Sequence, residues 1–193
     1  WGEIETVDNR RGLKYTQTFH NNLDVIDPPK ITKTTSSKPY TKVSFIPDFQ
    51  RLGLSGLSTD MMNLLIKRVY DIGAVTDQTQ KKIKVSYNKN VLPVKNFTQY
   101  LDLYIGQKDE SKRVYECHND RWEYAVAFSD KHEFMQVSFV NGICTPKGGK
   151  HVDYVLGQIV RKLCAYIEKK KKISCNPATI KEQLILFIRC DIE

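Results

Sequence analysis

The chain has 193 residues, of which 40% are hydrophobic and 27% are charged. This composition is typical of one ordinary globular domain or two small ones, and it is unlike that of a disordered chain or a membrane protein. No apolar run approaches the roughly 18–20 residues that a helix needs to span a bilayer, so we expect no membrane partner. The first residues have a strand-like pattern and not that of a secretory signal.

Five cysteines are scattered along the chain, at positions 117, 144, 164, 175 and 190. No two of them have the C-x2-C spacing of a zinc site, and the adjacent pair Cys117 and His118 cannot complete a tetrahedral site alone. Isolated thiols indicate a reducing compartment, which means the cytosol or the nucleus. We therefore expect no structural metal.

Positive charge is concentrated in one segment. The chain has a net charge of +8 and a pI of about 9.2, which favours a polyanionic partner. Residues 147–172 contain eight Lys or Arg and two acidic residues, Asp153 and Glu168. This segment therefore holds most of the excess charge.

The first 48 residues have the alternating pattern of antiparallel strands. Residues 3–7 and 13–19 flank a polar segment and predict a β-hairpin. Residues 30–34 and 40–45 predict a second pair of strands, separated by a turn rich in Ser, Lys and Pro. A connection rich in Gly, Ser and Leu follows and is the candidate domain boundary.

The middle of the chain alternates between helices and short strands. Ser58 is a candidate N-cap for a helix that Gly73 is placed to end. Short strands are predicted over residues 82–87 and 91–94, and an Asn-capped helix over residues 97–104. The apolar stripe of the first helix is predicted to consist of Met62, Leu65, Val69 and Ile72.

The last part of the chain predicts strands around one long helix. Strands rich in aromatic and β-branched residues are predicted over residues 113–117, 122–128 and 134–141. A long helix is predicted from about His151 to Lys170. After a break rich in Ser, Asn and Pro, an apolar run over residues 184–192 predicts a buried strand.

The loop before the long helix contains the pair Gly148 and Gly149. A strand, a glycine-rich loop and a helix N-terminus together form a possible anion-binding corner, because free N–H groups and the helix dipole point the same way. The same glycines are also typical of a sharp turn, and the Walker pattern is absent.

The predicted long helix is amphipathic. Its apolar stripe is expected in the core and consists of Val152, Val155, Leu156, Ile159, Val160, Leu163 and Ile167. Its opposite side carries Gln158, Arg161, Lys162, Ala165 and Lys169. The helix leads into four lysines, Lys169, Lys170, Lys171 and Lys172. They either contact nucleic-acid phosphates or form a solvated last turn that complements the helix dipole.

The histidines give no sign of a catalytic set. His20, His118 and His132 are isolated, so surface or packing roles are predicted for them. His151 begins the long helix and is predicted to cap it or to contact a neighbouring loop, and the alternative to this structural role is a part in domain signalling. Trp122 lies in an aromatic strand and is predicted to pack in the core or at a hinge.

Several motifs in order along the chain closely resemble the eukaryotic type IIA DNA topoisomerases. The most specific resemble the transducer region of their ATPase portion: SFVNGI at 138–143, KGGKHVDYV at 147–155 and QIV at 158–160. Further matches are YTKV at 40–43, FIPD at 45–48, RVYDI at 68–72, LPVKNF at 92–97, YLDLY at 100–104 and NDRWE at 119–123.

The resemblance implies an α+β fold in two parts. Residues 1–53 would be the last antiparallel strands of a GHKL-type ATP-binding domain. Residues 54–193 would be most of a transducer domain similar to domain 2 of ribosomal protein S5. The parent protein would be an ATP-dependent type II DNA topoisomerase, which passes one duplex through a transient double-strand break in another. This segment would relay ATP binding and hydrolysis to the DNA gate.

The resemblance also implies site residues and partners. The DNA-contacting lysines of the family map onto Lys169, Lys170 and Lys171, with Lys172 beside them, although Glu168 stands where the family often has another lysine. The parent enzyme would be a nuclear homodimer that uses ATP and Mg²⁺ and binds double-stranded DNA.

By the same resemblance, the nucleotide-binding residues would precede Trp1, and the Gln-Thr-Lys loop that reaches the ATP γ-phosphate would follow Glu193. This chain alone is therefore expected to be monomeric, to bind no ATP or metal, and to lack ATPase activity. The sequence DQTQK at residues 77–81 is similar in letters to that loop but lies in a polar turn away from the family position. The alternative function is a non-enzymatic nucleic-acid-binding module of S5-like fold.

Overall fold

The structure is a computed structural model that describes residues 1–76 and 83–193. The described chain forms two compact units, Trp1–Met61 and Met62–Glu193. The predicted loop at residues 77–81 lies outside the described residues. The predicted domain boundary after residue 53 stays a prediction.

The first unit is an antiparallel sheet. Its elements are β1 (Gly2–Asp8), β2 (Leu13–His20), a 3-10 turn (Asn21–Leu23), β3 (Val25–Ile26), β4 (Lys30–Lys33) and β5 (Tyr40–Phe45). The strand order is β3-β2-β1-β5, and β4 also pairs with β2. The predicted hairpin of β1 and β2 is confirmed, with Asp8 opposite Leu13.

The predicted pairing of the next two strands is wrong. β4 pairs with residues 13–16 of β2, whereas β5 pairs with residues 2–7 of β1. The six residues between β4 and β5 exceed the usual hairpin loop of about two to five residues, so the chain can cross the sheet to the other edge. Strand composition predicts each strand correctly but does not predict its neighbour.

The second unit combines a five-stranded sheet with helices and a small hairpin. Its elements are α1 (Thr59–Val75), β6 (Ser86–Tyr87), β7 (Asn90–Val91), α2 (Phe97–Ile105), β8 (Arg113–Asn119), β9 (Trp122–Phe128), β10 (Met135–Val140), β11 (Ile143–Cys144), α3 (Lys150–Lys171), α4 (Pro177–Glu182) and β12 (Leu184–Cys190). Both predicted N-caps are present. Ser58 Oγ accepts from the Met61 amide at 3.2 Å, and Asn96 Oδ1 accepts from the Gln99 amide at 3.0 Å.

The sheet of this unit has the order β11-β10-β12-β9-β8. β10 and β12 are parallel, and the other neighbours are antiparallel. β12, the last strand in the chain, therefore lies at the centre, as its continuous apolar sequence requires for a strand covered on both faces.

Alternate side chains of β12 enter two separate cores. Ile185 and Phe187 pack with α2 and the end of α1, where Phe97, Tyr100 and Leu101 are buried. The other face of β12 packs with the buried stripe of α3. The sheet is thus enclosed between two layers of helices.

The buried face of α1 differs from the predicted stripe. Leu65 and Ile72 are half exposed, and the buried positions are Asp71, Gly73 and Ala74. Gly73 does not end the helix. A Cβ atom at this position would lie 3.2 Å from the carbonyl oxygen of Val94, so glycine allows the helix to approach that segment closely.

The break after the long helix is followed by a further helix, α4, which was not predicted. Asn176 Oδ1 accepts from the Ala178 amide at 3.0 Å, and Pro177 occupies the first helical position. Asn at the N-cap followed by Pro is a helix-start signal. The sequence contains this signal, but its Ser/Asn/Pro composition predicts only a break at residues 174–177.

Candidate nucleic-acid interface

The 22 residues of α3 form a helix about 33 Å long. The predicted stripe is largely confirmed, since Val152, Val155, Leu156 and Val160 are buried against the sheet and Ile159 and Leu163 are partly buried. Cys164 extends this stripe and was missed, although its spacing of four residues from Val160 is helical. Of the predicted polar side, Arg161, Lys162, Ala165 and Lys169 are exposed, and Gln158 is half-buried.

The C-terminal end of α3 carries Lys169, Lys170, Lys171 and Lys172, called here the lysine cluster, and all four side chains are exposed. Successive residues of a helix are about 100° apart, so the cluster presents charge around the end of α3 and not on one face. Lys172 takes the left-handed conformation (φ 56°, ψ 33°), and its amide donates to the Glu168 carbonyl at 2.9 Å. The helix ends at this residue.

The lysine cluster has no ion-pair partner among the residues that the structure describes. The neighbouring acid, Glu168, accepts from the Cys175 amide at 3.4 Å. Four unneutralised ammonium groups thus remain available to an anion. The three lysines of the last helical turn also complement the negative end of the helix dipole.

The pair Gly148 and Gly149 forms the junction into α3. Their φ values of 71° and 148° lie in the region that favours glycine. The Gly149 carbonyl accepts from the Val152 and Asp153 amides, and Gly148 donates to the Thr145 carbonyl. These hydrogen bonds form a sharp strand-to-helix turn, which is one of the two structures predicted for the glycine pair.

His151 contacts the neighbouring loop, as one of its two predicted roles requires. Its Nε2 atom lies 3.2 Å from Thr145 Oγ1. Burial lowers the pKa of His151 from its ordinary value of 6.5, while the Asp153 carboxylate raises it to a smaller extent. The ring is therefore held in its neutral form at neutral pH.

The other singled-out residues have structural partners. His20 lies 3.1 Å from Asp27, and His132 lies 2.7 Å from Gln183. Trp122 is partly buried against the core under α3, as predicted. In the described ranges, no group of three His, Cys, Asp or Glu residues could hold a metal ion, and no helix is long and apolar enough to cross a bilayer.

The segment after β12 is held by two turns of the sheet, an arrangement that no sequence motif predicted. Asn141, in the β10–β11 turn, donates from Nδ2 to the Ile192 carbonyl and accepts from the Ile192 amide at Oδ1, both at 2.8 Å. Arg121, in the β8–β9 turn, donates from its side-chain Nε to the Asp191 carbonyl at 2.9 Å, and its own carbonyl accepts from the Asp191 amide at 2.8 Å. The partners lie 51 and 70 residues apart in sequence, so no local pattern could reveal them.

Comparison with known proteins identifies the family. Residues 76–193 match the family model for DNA gyrase B. The chain is 41% identical over 98% of its length to DNA topoisomerase 2 of Candida glabrata and 39% identical to that of Saccharomyces cerevisiae. It spans 14% of the length of each of these relatives.

Two solved structures have the same fold. The ATPase region of Saccharomyces cerevisiae topoisomerase II, solved with dexrazoxane, superposes with a TM-score of 0.86 at 38% identity, covering 98% of this chain and 48% of that one. The ATPase and transducer domains of Balamuthia mandrillaris topoisomerase II give 0.85 at 34% identity, with the same two coverages. The predicted mixed α and β fold is confirmed, and the chain belongs to the DNA topoisomerase II family, within the ATPase and transducer region.

Proposed function

We propose that this chain is part of an ATP-dependent type II topoisomerase that passes one DNA duplex through a transient break in another. Within that enzyme, the segment contacts the duplex through the lysine cluster and relays ATP binding and hydrolysis to the DNA gate. The observation that carries this proposal is the cluster of four exposed, unneutralised lysines at the end of α3, in a chain closely related to these enzymes.

The lysine cluster suits a duplex because its charge is spread around the helix end and is not neutralised by internal ion pairs. Lysines that neutralise phosphates release counterions, which gives affinity without sequence preference. That property fits an enzyme that must act on any sequence of DNA.

The relay is proposed to run through the contact between α3 and β12. Leu156 and Val160 of α3 share one core with Leu186 and Ile188 of β12. Close-packed side chains move together, because protein interiors have low compressibility and transmit strain. A displacement of the segment after β12, which Asn141 and Arg121 hold, would thus be transmitted along α3 to the lysine cluster.

We further propose that the parent enzyme is a nuclear homodimer that uses ATP and Mg²⁺. The described residues offer no three-ligand metal site, so no Mg²⁺ contact is assigned to them. We expect the 193-residue chain alone to be monomeric and to hydrolyse no ATP. Phosphate release above the buffer rate from the purified chain would contradict this.

The test of DNA contact replaces the four cluster lysines by alanine and measures the binding of a fluorescent duplex at several salt concentrations. The matched control replaces four other exposed lysines, Lys30, Lys33, Lys38 and Lys42, with the same change in charge. Each lost phosphate contact should lower the salt slope by about 0.9, so the cluster variant should lose up to about four times that value. Equal slopes for the cluster variant and the unchanged chain would remove the proposed contact.

A second test separates the topoisomerase from a non-enzymatic DNA-binding module. The same cluster substitutions in the full-length parent enzyme should reduce the stimulation of its ATPase by DNA, while the basal rate in the absence of DNA stays unchanged. A parent protein without ATP-dependent strand passage would favour the binding module.

A further inference from the structure

Two of the five cysteines meet at the C-terminal end of α3. Cys164 is buried in the core under this helix, and Cys175, in the connection between α3 and α4, packs against the same core and is half-buried. Both are free thiols, and the side chain of Cys175 interacts directly with that of Cys164. Their positions in the sequence have no redox-motif spacing, so the fold brings them together.

The backbone of the connection holds Cys175 at this place. Its amide donates to Glu168 Oε1 at 3.4 Å, and Glu168 lies one helical turn after Cys164 on the same side of α3. Lys172 ends the helix in the left-handed conformation, and its amide donates to the Glu168 carbonyl at 2.9 Å. Both hydrogen bonds attach the connection to the last turns of α3, next to Cys164.

We propose that Cys164 and Cys175 form a reversible disulfide and that this bond restrains the segment that carries the lysine cluster. The bond closes a loop over residues 164–175, and all four lysines of the cluster lie inside it. No lysine charge is lost, so oxidation changes the conformational freedom of the cluster and not its charge. This inference goes beyond the proposed function and does not depend on the DNA contact.

The oxidant is a small-molecule disulfide, for which oxidised glutathione is the probe. The Cys175 thiolate, which is more accessible than that of Cys164, attacks one sulfur of glutathione disulfide, and one glutathione thiolate leaves. The Cys164 thiolate then attacks the sulfur of Cys175 and expels the second glutathione. Two protein thiols are oxidised and one disulfide is reduced. The two protons of the cysteines pass to the two glutathione thiolates.

The environment of Cys175 sets the conditions under which the pair reacts. Burial, and then contact with the Cys164 thiol, raise the pKa of Cys175 above its ordinary value. The thiolate is the attacking species, so the first step should accelerate as pH rises from neutral. In a reducing compartment the pair is a dithiol, and its disulfide is a transient response to oxidation.

The test equilibrates the 193-residue chain with mixtures of reduced and oxidised glutathione and then blocks free thiols with N-ethylmaleimide. Trypsin cleaves after Lys and Arg, so the disulfide links the peptides 163–169 and 173–181, and mass spectrometry detects the linked pair. Cys175→Ser cannot form the bond. The matched control is Cys117→Ser, which removes an exposed thiol from β8.

We expect the linked peptides in the unchanged chain and in Cys117→Ser, and not in Cys175→Ser. Dithiothreitol should remove them. The equilibrium constant of the exchange gives the effective concentration of one thiol near the other, which a short flexible linker sets on the order of millimolar. The folded chain should exceed the value measured in concentrated urea by about tenfold or more, because packing already holds the two thiols together.

The restraint on the lysine cluster is measured by amide hydrogen exchange. Oxidation should slow the exchange of the Lys171 and Lys172 amides in the unchanged chain, because the disulfide opposes local opening of the helix end. The same treatment should leave these amides unchanged in Cys175→Ser.

Three results would overturn the inference. The first is the absence of linked peptides at a glutathione ratio that already modifies the exposed Cys117. The second is an effective concentration no higher in the folded chain than in urea, which would show that the fold does not bring the thiols together. The third is unchanged exchange at Lys172 after complete oxidation, since the bond would then place no restraint on the cluster.

Discussion

The Tyr100 hydroxyl of α2 donates a 2.6 Å hydrogen bond to Asp71 Oδ1 of α1. Asp71 is 4% exposed, and its two oxygens also accept from Lys67 Nζ at 2.8 and 3.0 Å. Burial and the bond to Asp71 together raise the pKa of Tyr100 far above its ordinary value. This network joins the two helices that cover one face of the sheet.

Asp71→Ala is expected to destabilise the chain strongly. It leaves the Tyr100 hydroxyl without its carboxylate and Lys67 without its counter-charge, and breaking a buried pair in this way costs about 3–5 kcal/mol. Because Lys67 is partly exposed and rehydrates, we expect a value at the lower end, about 3 kcal/mol. The free energy of unfolding in urea measures it.

The matched comparison for this network is a pair of Tyr→Phe substitutions. Tyr100→Phe removes one buried hydrogen bond to a charged group and should cost about 1.5–3 kcal/mol. Tyr115→Phe removes a bond of equal length, 2.6 Å to Glu123, at an exposed position, and should cost less than about 0.5 kcal/mol. Equal costs at the two positions would contradict a special role for the buried network.

Two helical glycines are predicted to respond to alanine with opposite signs. At Gly157 of α3, a Cβ atom would meet nothing within 4 Å, so Gly157→Ala should stabilise by about 0.5–1 kcal/mol through helix propensity. At Gly73 of α1, the same atom would lie 3.2 Å from a backbone carbonyl of the packed segment. Gly73→Ala should therefore destabilise despite the same gain in propensity.

The measurement is the unfolding midpoint of both variants under one set of conditions. A stabilising Gly73→Ala would show that the segment around Val94 moves away without cost. A Gly157→Ala that leaves DNA binding unchanged would also show that the exposed side of α3 tolerates a methyl group there.

The elements that could be predicted from the sequence are those whose pattern of apolar residues reflects which of their faces are buried. α3 has a helical stripe, and β12 has a continuous apolar run typical of a strand covered on both faces. The inward face of α1 was missed because it presents Asp71 and Gly73, which resemble a solvent-facing residue and a helix stop. Only the tertiary partners, Tyr100 and the Val94 carbonyl, explain why these residues lie inside.

The candidate site shows the same limit. Charge density in the sequence is visible without a structure, so the lysine cluster was found, and the resemblance gave it a role. The β8–β9 turn lies beside α3 although it is more than 30 residues earlier in the chain, and no local pattern predicts this placement. The hydrogen bonds around Ile192 likewise depend on side chains far away in the sequence.

His151 predicts a pH dependence of stability. Its pKa in the folded chain is lowered, chiefly by burial, from an unfolded value of about 6.5. The unfolded chain therefore binds the proton more readily, and folding is favoured more as pH rises through this range. The contribution is fully present above pH 6.5 and is lost progressively as pH falls from there towards the folded pKa.

The test compares urea midpoints of the unchanged chain and His151→Gln at pH 7.5 and pH 5.5. The unchanged chain should lose more stability than the variant between these values, because glutamine does not titrate. The same loss in both would show that other groups govern this range of pH.

Asn141 is predicted to hold the segment after β12 through its side chain. Asn141 has a φ of 49° in the turn before Gly142, so alanine there would add backbone strain to the loss of the amide. Asn141→Gly removes the side chain but keeps the conformation accessible. Asn141→Asp keeps the acceptor for the Ile192 amide and loses the donor to the Ile192 carbonyl.

Amide hydrogen exchange at Ile192 distinguishes these contributions, because local opening frees an amide for exchange. In the unchanged chain, Asn141 Oδ1 accepts from this amide at 2.8 Å. We expect exchange to accelerate in Asn141→Gly and to stay slow in Asn141→Asp, with amides of the central strand β12 unchanged in both. If the Ile192 amide remained protected in Asn141→Gly, the two contacts of Arg121 with Asp191 would suffice to hold the segment. Any motion relayed from this segment to α3 would then have to pass through the β8–β9 turn.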